Sequence, residues 1–157
     1  DPELWNDTVE ANVLCGDDGS AMDYLRRTCL DDEVNNMEAG MQTVVGSSAV
    51  RLSGGQAQRL ALARTLAHPR PLLVLDDPFS ALDRDTEDAI FEALKQSSPG
   101  SILFLISHRL YHFPELDKVV FMDGGKVTVG THQKLLASCP GYRTLYESQT
   151  GGKRHEA

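Results

Sequence analysis

Ser53, Gly54 and Gly55 stand directly ahead of residues 56–67, where Ala57, Leu60, Ala61, Ala63, Arg64 and Leu66 are strong helix formers and where Pro69 and Pro71 bring the pattern to a stop. The spacing predicts a helix whose first turn offers a hydroxyl and unobstructed backbone amides. The first N–H groups of a helix lack intrahelical partners and the helix dipole is positive at that end, so such a terminus suits an anion. The same residues serve equally as a plain N-cap serine with turn glycines. Two acids, Asp76 and Asp77, close the apolar run 72–75 ahead of Pro78, and Asp83 stands where it can cap a further helix. His108 follows a second apolar run, 102–106. A lone histidine after a strand is usually a loop residue with an ordinary partner, and His68, His112, His132 and His155 take that reading.

The elements that must hold these groups follow from hydrophobic period. Residues 4–30 alternate apolar and charged side chains at helix-like intervals, interrupted at Asp17, Asp18 and Gly19, with Ser20 as the N-cap before Ala21. The first third therefore reads as short helices. Residues 41–52 contain Gly46, Ser47 and Ser48, show no sustained period, and read as a loop. The run 72–75 predicts a strand buried on both faces, with the acids at its C-terminal end. A helix is predicted over 84–96, with Ala89, Ile90, Ala93 and Leu94 on one face, before Pro99-Gly100 leads into a strand over 102–106. Strand, helix, strand implies a parallel pair. Residues 118–122 and 126–129, separated by Asp123-Gly124-Gly125, predict a hairpin. Two short helices, 133–137 and 142–149, and a loose polar tail over 150–157 complete the chain.

Composition narrows the classes. The 157 residues are 41% hydrophobic, enough for one ordinary core and too few to promise two independent domains. The net charge of −8 and the absence of a Lys/Arg cluster larger than a pair, such as Lys153-Arg154, argue against a nucleic-acid partner. No apolar run approaches the roughly 20 residues that span a bilayer, and no secretory signal is visible, so a cytoplasmic setting is expected. Cys15, Cys29 and Cys139 are odd in number, widely spaced and without metal-ligand spacing, and read as reduced, structural thiols.

Residues 52–66, LSGGQAQRLALARTL, closely resemble the signature motif and helix of ABC transporter ATP-binding domains. Further resemblances come in the family's order. Residues 72–76 resemble the Walker B strand, 80–83 the D-loop, and Ser107-His108-Arg109 the histidine switch. The resemblance covers about residues 1–149 and implies an α/β, P-loop NTPase fold, present as a helical subdomain over 1–70 and the C-terminal part of a RecA-like sheet core over 71–149. It implies ATP and Mg2+ as cofactors. Leu52, Ser53, Gly54, Gly55 and Gln56 would serve the nucleotide, Asp76 the magnesium ion, and His108 the terminal phosphate, while Asp83 would cross the dimer interface. The implied partners are a transmembrane domain and a second ATP-binding domain bound head to tail, at the cytoplasmic face of the cell membrane. Thr43-Val44-Val45-Gly46, Gly130-Thr131-His132 with Leu135-Leu136, and YRTLYESQ over 142–149 resemble exporter-type domains in particular.

Three departures from the family pattern matter. Ser47 stands where a glutamate usually follows the glycine of the exporter loop. Asp77 occupies the place of the glutamate that polarises the attacking water, keeping the carboxylate on a side chain one methylene shorter. A group orienting water that is displaced by about 1 Å can cost on the order of a hundredfold in rate, so Asp77 implies a slow site. In asymmetric exporters of this family, such a subunit lends an intact signature to a competent partner site, which makes a different subunit the expected partner. Finally, no G-x-x-x-x-G-K-[ST] occurs in these residues, and Asp1-Pro2-Glu3-Leu4-Trp5 resembles the stretch immediately after the family's Q-loop glutamine, so the chain reads as a C-terminal piece of the domain. A soluble, non-transport ABC ATPase and a non-enzymatic interaction module are the alternatives. The transported substrate is not legible in this domain.

Overall fold

A computed structural model describes residues 3–97 and 100–151. Asp1, Pro2, Pro99 and most of the polar tail expected over 150–157, with His155 in it, lie outside the described residues. The chain forms two compact units that divide between Ile106 and Ser107.

The first unit opens with β1 (Asp7–Thr8), which feeds straight into α1 (Val9–Leu14). The Thr8 hydroxyl accepts the Ala11 N–H at 3.0 Å and caps that helix. Helices α2 (Ala21–Arg27) and α3 (Asp31–Asn35) follow, then a 3-10 turn at Gly40–Gln42 and β2 (Val44–Val45). Ser20 occupies the N-cap of α2 as expected, but its hydroxyl makes no capping bond. The expected loop over 41–52 contains a strand: β2 pairs antiparallel with β1, Asp7 opposite Val45 and Thr8 opposite Val44. Two residues are too few to show a period in the sequence. Beyond β2, Gly46 adopts a φ of +128°, and any side chain there would meet Asn6 Oδ1 at 2.3 Å. Asn6 Oδ1 in turn accepts the Ser48 N–H at 3.2 Å, which fixes the loop.

Helix α4 (Gly54–Ala67) packs against α1 and α2. Val9, Val13, Leu25, Val34, Val45, Leu60 and Ala63 are wholly buried in the resulting core. Full burial of one aliphatic side chain of this kind is worth about 1.5–3 kcal/mol, so this cluster dominates the unit's stability. The N-terminal segment is tied on by polar contacts: Arg64 donates to the Asn12 carbonyl and side chain at 2.7 Å each, and its guanidinium lies 4.7 Å from the Trp5 ring centre. Cys15 and Cys29, both with a φ of +53°, follow α1 and α2. The three cysteines are free as expected, although Cys15 and Cys29 are exposed and not part of the core.

Strands β3 (Leu72–Asp76) and β4 (Ile102–Ile106) pair parallel, in register from Leu72 opposite Ile102 to Asp76 opposite Ile106. Between them runs α5 (Arg84–Ser97). The expectation of a strand buried on both faces fails here. Leu72 and Val74 are 55% and 59% exposed, and Ile102 and Phe104 are 63% and 50% exposed. Among the described residues this sheet has only two strands, so the alternate side chains of one face meet solvent. Of the expected face of α5, Ile90, Ala93 and Leu94 are buried, with Glu87 and Phe91 beside them at helical spacing, whereas Ala89 is exposed.

The second unit holds the hairpin β5 (Val119–Asp123) and β6 (Lys126–Gly130), with α6 (His132–Ser138) and α7 (Pro140–Thr150). Asp123 belongs to the strand, opposite Lys126, and Gly124-Gly125 alone makes the turn, with φ of +53° and +77°. Both positions need the left-handed region, which glycine enters without steric cost. Tyr142 is fully buried and its hydroxyl is hydrogen-bonded to His132 Nδ1 at 2.8 Å. Burial, with the neighbouring Tyr146, pushes the Tyr142 phenol up to about 12, so it keeps its proton, while burial holds the His132 imidazole below its usual value.

Candidate functional site

The N-terminus of α4 is closed by a reciprocal pair of hydrogen bonds. Gln56 N–H donates to Ser53 Oγ at 3.2 Å, and Ser53 N–H donates to Gln56 Oε1 at 2.8 Å. Ala57 N–H donates to the Ser53 carbonyl at 2.9 Å. Of the five N–H groups over residues 53–57, those of Gly54 and Gly55 alone have no hydrogen-bond acceptor among the described residues. Ser53 and Gly54 are exposed and Gly55 is half-buried. Two adjacent, open amides thus head a 14-residue helix, where the dipole adds its positive end. The N-cap role weighed for Ser53 is present, and it leaves the hydroxyl proton available as a third donor.

Gln56 is also anchored sideways. Its Nε2 donates to Glu33 Oε2 at 2.6 Å, and Arg59 makes an ion pair with the same carboxylate while donating to the Cys29 carbonyl. Burial pushes the Glu33 carboxyl up, but the bonds from Gln56 and Arg59 together outweigh it and hold the group below its ordinary value. Leu52 is half-buried against the helical core. The signature-like segment therefore rests on α3 and on the end of α2 through partners 23 to 30 residues away in the chain.

The acids lie in and after the turn that ends β3. Asp76 occupies the last strand position, while Asp77 follows with a φ of +48° and donates its N–H to the Ile106 carbonyl at 2.7 Å. Pro78 and Phe79 behind it are buried. Asp83 caps α5: its carboxylate accepts the Thr86 N–H at 3.0 Å and the Thr86 hydroxyl at 2.8 Å, and these bonds, the backbone one foremost, hold the carboxyl below its usual range.

The turn over 77–82 lies against the first turns of α4. A Cβ placed on Gly55 would sit 3.0 Å from the Ala81 carbonyl oxygen. Gln58 reaches across the same contact: its Nε2 donates to the Asp77 carbonyl at 3.2 Å and to Ser80 Oγ at 3.1 Å, and its Oε1 accepts the Ala81 N–H at 3.1 Å. Leu52, Ser53, Gly54, Gly55, Gln56, Asp76, Asp77 and Asp83 are thus carried by one unit. Gln58, Glu33 and Arg59 support them and were not legible in the sequence, where nothing marks them off from other polar helix residues. His108 is carried by the other unit, in a segment held by Gln149, whose Nε2 donates to the His108 carbonyl at 2.7 Å and whose Oε1 accepts the Leu110 N–H at 2.9 Å.

No group of three or more His, Cys, Asp or Glu side chains among the described residues could itself cage a metal ion. Magnesium rarely needs such a cage, since it is commonly bound through one or two carboxylates together with substrate phosphates and water. An exposed Asp76 at a strand end fits that manner of binding, and the open Gly54 and Gly55 amides fit a phosphate.

Residues 4–80 match the family model described as ABC transporter. The chain is 37% identical over 154 residues to P-glycoprotein 14 of Caenorhabditis elegans, covering 95% of this chain and 12% of that protein. It is 39% identical over 155 residues to the ATP-dependent lipid A-core flippase of Bordetella avium, covering 95% of this chain and 26% of the flippase. The structure of a bacterial Atm1-family ABC exporter with ATP bound superposes with a TM-score of 0.85 at 31% identity, over 96% of this chain and 27% of the exporter chain. The chain therefore spans between about an eighth and about a quarter of the length of these proteins.

Proposed function

The chain belongs to the ABC transporter family, with the α/β architecture of its ATP-binding domains, and on that premise we propose that it carries the signature, Walker B, D-loop and histidine-switch part of an exporter's ATPase. The observation that carries this reading is the pair of open amides at Gly54 and Gly55, left free by a capping arrangement that engages their neighbours. Together with the Ser53 hydroxyl they present three donors to the phosphates of an ATP held by a second ATP-binding domain, bound head to tail. Asp76 holds Mg2+, which neutralises charge on the phosphates. Asp77 orients the attacking water, His108 contacts the terminal phosphate, and the Asp83 segment faces the partner domain across the interface. ATP binding closes the pair, hydrolysis resets it, and the motion passes to a transmembrane domain at the cytoplasmic face of the membrane. The shorter reach of Asp77 makes this chain's own site slow, and the intact signature serves a competent site on a different subunit.

The test is the Ser53→Arg variant of the full-length transporter, in which a long cationic side chain fills the space before the amides. ATP-driven closure should be lost; closure at the unsubstituted level would leave Ser53 as an N-cap and nothing more. In the same transporter Asp77→Glu should raise single-turnover hydrolysis at this chain's site. The 157 residues by themselves, having no G-x-x-x-x-G-K-[ST], should show no ATP binding by nucleotide titration, and micromolar affinity would contradict the assignment of the signature to a partner's nucleotide.

A further inference from the structure

Resting on the reading of Gly54 and Gly55 as a phosphate face, we propose that Gln58 is a positioning residue that couples this face to Asp77, so that a nucleotide seated on one end of α4 sets the carboxylate at the end of β3. One side-chain amide spans the gap with three hydrogen bonds, to the Asp77 carbonyl, the Ser80 hydroxyl and the Ala81 N–H. These partners flank Pro78 and Phe79, which are buried and have no room to follow independently. Beside the amide, Gly55 approaches the Ala81 carbonyl so closely that a Cβ would stand at 3.0 Å, leaving no intervening atom to absorb movement. An amide is planar, and hydrogen bonds weaken steeply once their angles bend, so a shift of the α4 terminus either drags the turn or breaks the bonds. The Asp77 carbonyl bonded by Gln58 belongs to the residue held at a φ of +48°. Restraining that peptide fixes where the carboxylate projects. Gln58 touches neither nucleotide nor water in this scheme; it acts through the turn.

The variants are Gln58→Ala and Gln58→Glu in the full-length transporter. The glutamate keeps an acceptor for the Ala81 N–H and loses the donor to the Asp77 carbonyl. Single-turnover hydrolysis at this chain's site, KM for ATP, ATP-driven closure and the thermal unfolding midpoint are measured together. Both variants should hydrolyse about ten- to a hundredfold more slowly, as expected of a water-orienting group displaced by up to about 1 Å, with KM, closure and unfolding midpoint unchanged. A loss confined to turnover marks an interaction realised in the transition state. An unchanged rate in Gln58→Ala overturns the proposal, as does a rate loss accompanied in proportion by weaker ATP binding or earlier unfolding, which marks a merely structural contact. Failure of the phosphate-face reading is separately visible: the Ser53→Arg transporter would then close on ATP, whatever the Gln58 variants do.

Discussion

The helical cluster around α4 and the β3–β4 pair lie in the same unit, yet they satisfy their apolar residues in opposite ways. Around α4, residues from α1, α2, α3 and β2 enclose one another, and Leu25, Val34 and Leu60 have no exposed surface. In the strand pair, Leu72, Val74, Ile102, Phe104 and Ile106 stand about half exposed or more. The helices meet several neighbours contributed by local stretches of chain, whereas a parallel sheet is normally covered on both faces and flanked by further strands. The first region is therefore self-sufficient in its packing and the second is not. The signature-like turn belongs to the first region and Asp76 to the second, so the open Gly54 and Gly55 amides have the firmer support.

Substitutions that should separate the two regions run from the centre of one to the face of the other. Leu60→Ala empties a fully buried position and should cost about 2–5 kcal/mol by urea unfolding; a loss under about 1 kcal/mol would deny the helical cluster its dominant role. Thr8→Ala removes the cap of α1 and should cost about 1 kcal/mol in the same measurement. Acid should act on the helical cluster through Glu33, whose carboxyl is held low in the folded state. The stability it lends is complete above the unfolded-state value of about 4.3 and is lost as pH falls through the lower folded value. Glu33→Gln should flatten that part of the pH profile, and an identical slope would remove Glu33 from the account. Phe104→Lys on the open strand face should change stability by no more than about 0.5 kcal/mol. The same variant should reduce self-association of the 157-residue chain by light scattering, because an unpaired strand edge with apolar side chains is a template for a second chain. Undiminished scattering would show that association uses another surface.

Much of this contrast is legible in the residues alone. Strong helix formers ended by Pro69 and Pro71 give α4 within two residues of its observed start, and the apolar runs give β3 and β4 almost to the residue. The anion-suited terminus of α4 is legible for the same reason, because capping is a local affair of residues 53–56. What the sequence conceals is contact between distant residues. Nothing in the spacing shows that Glu33 meets both Gln56 and Arg59, or that Gln58 bridges to the turn at 77–81. The β1–β2 pairing is too short to leave a period, and the exposure of Val74 depends on how many strands flank it, which an apolar run does not encode.

On the role proposed for Asp77, its backbone sets stability against turnover. Aspartate is among the few residues that enter the left-handed region readily, because its short carboxylate can bond locally, and a residue with a longer side chain is disfavoured there. Lengthening the side chain to glutamate would extend the carboxylate toward water while straining the turn that carries it. Variant libraries sorted only for folded, abundant chains should therefore retain aspartate at position 77, whereas libraries sorted for nucleotide turnover should return glutamate there, together with second changes elsewhere that restore the lost stability.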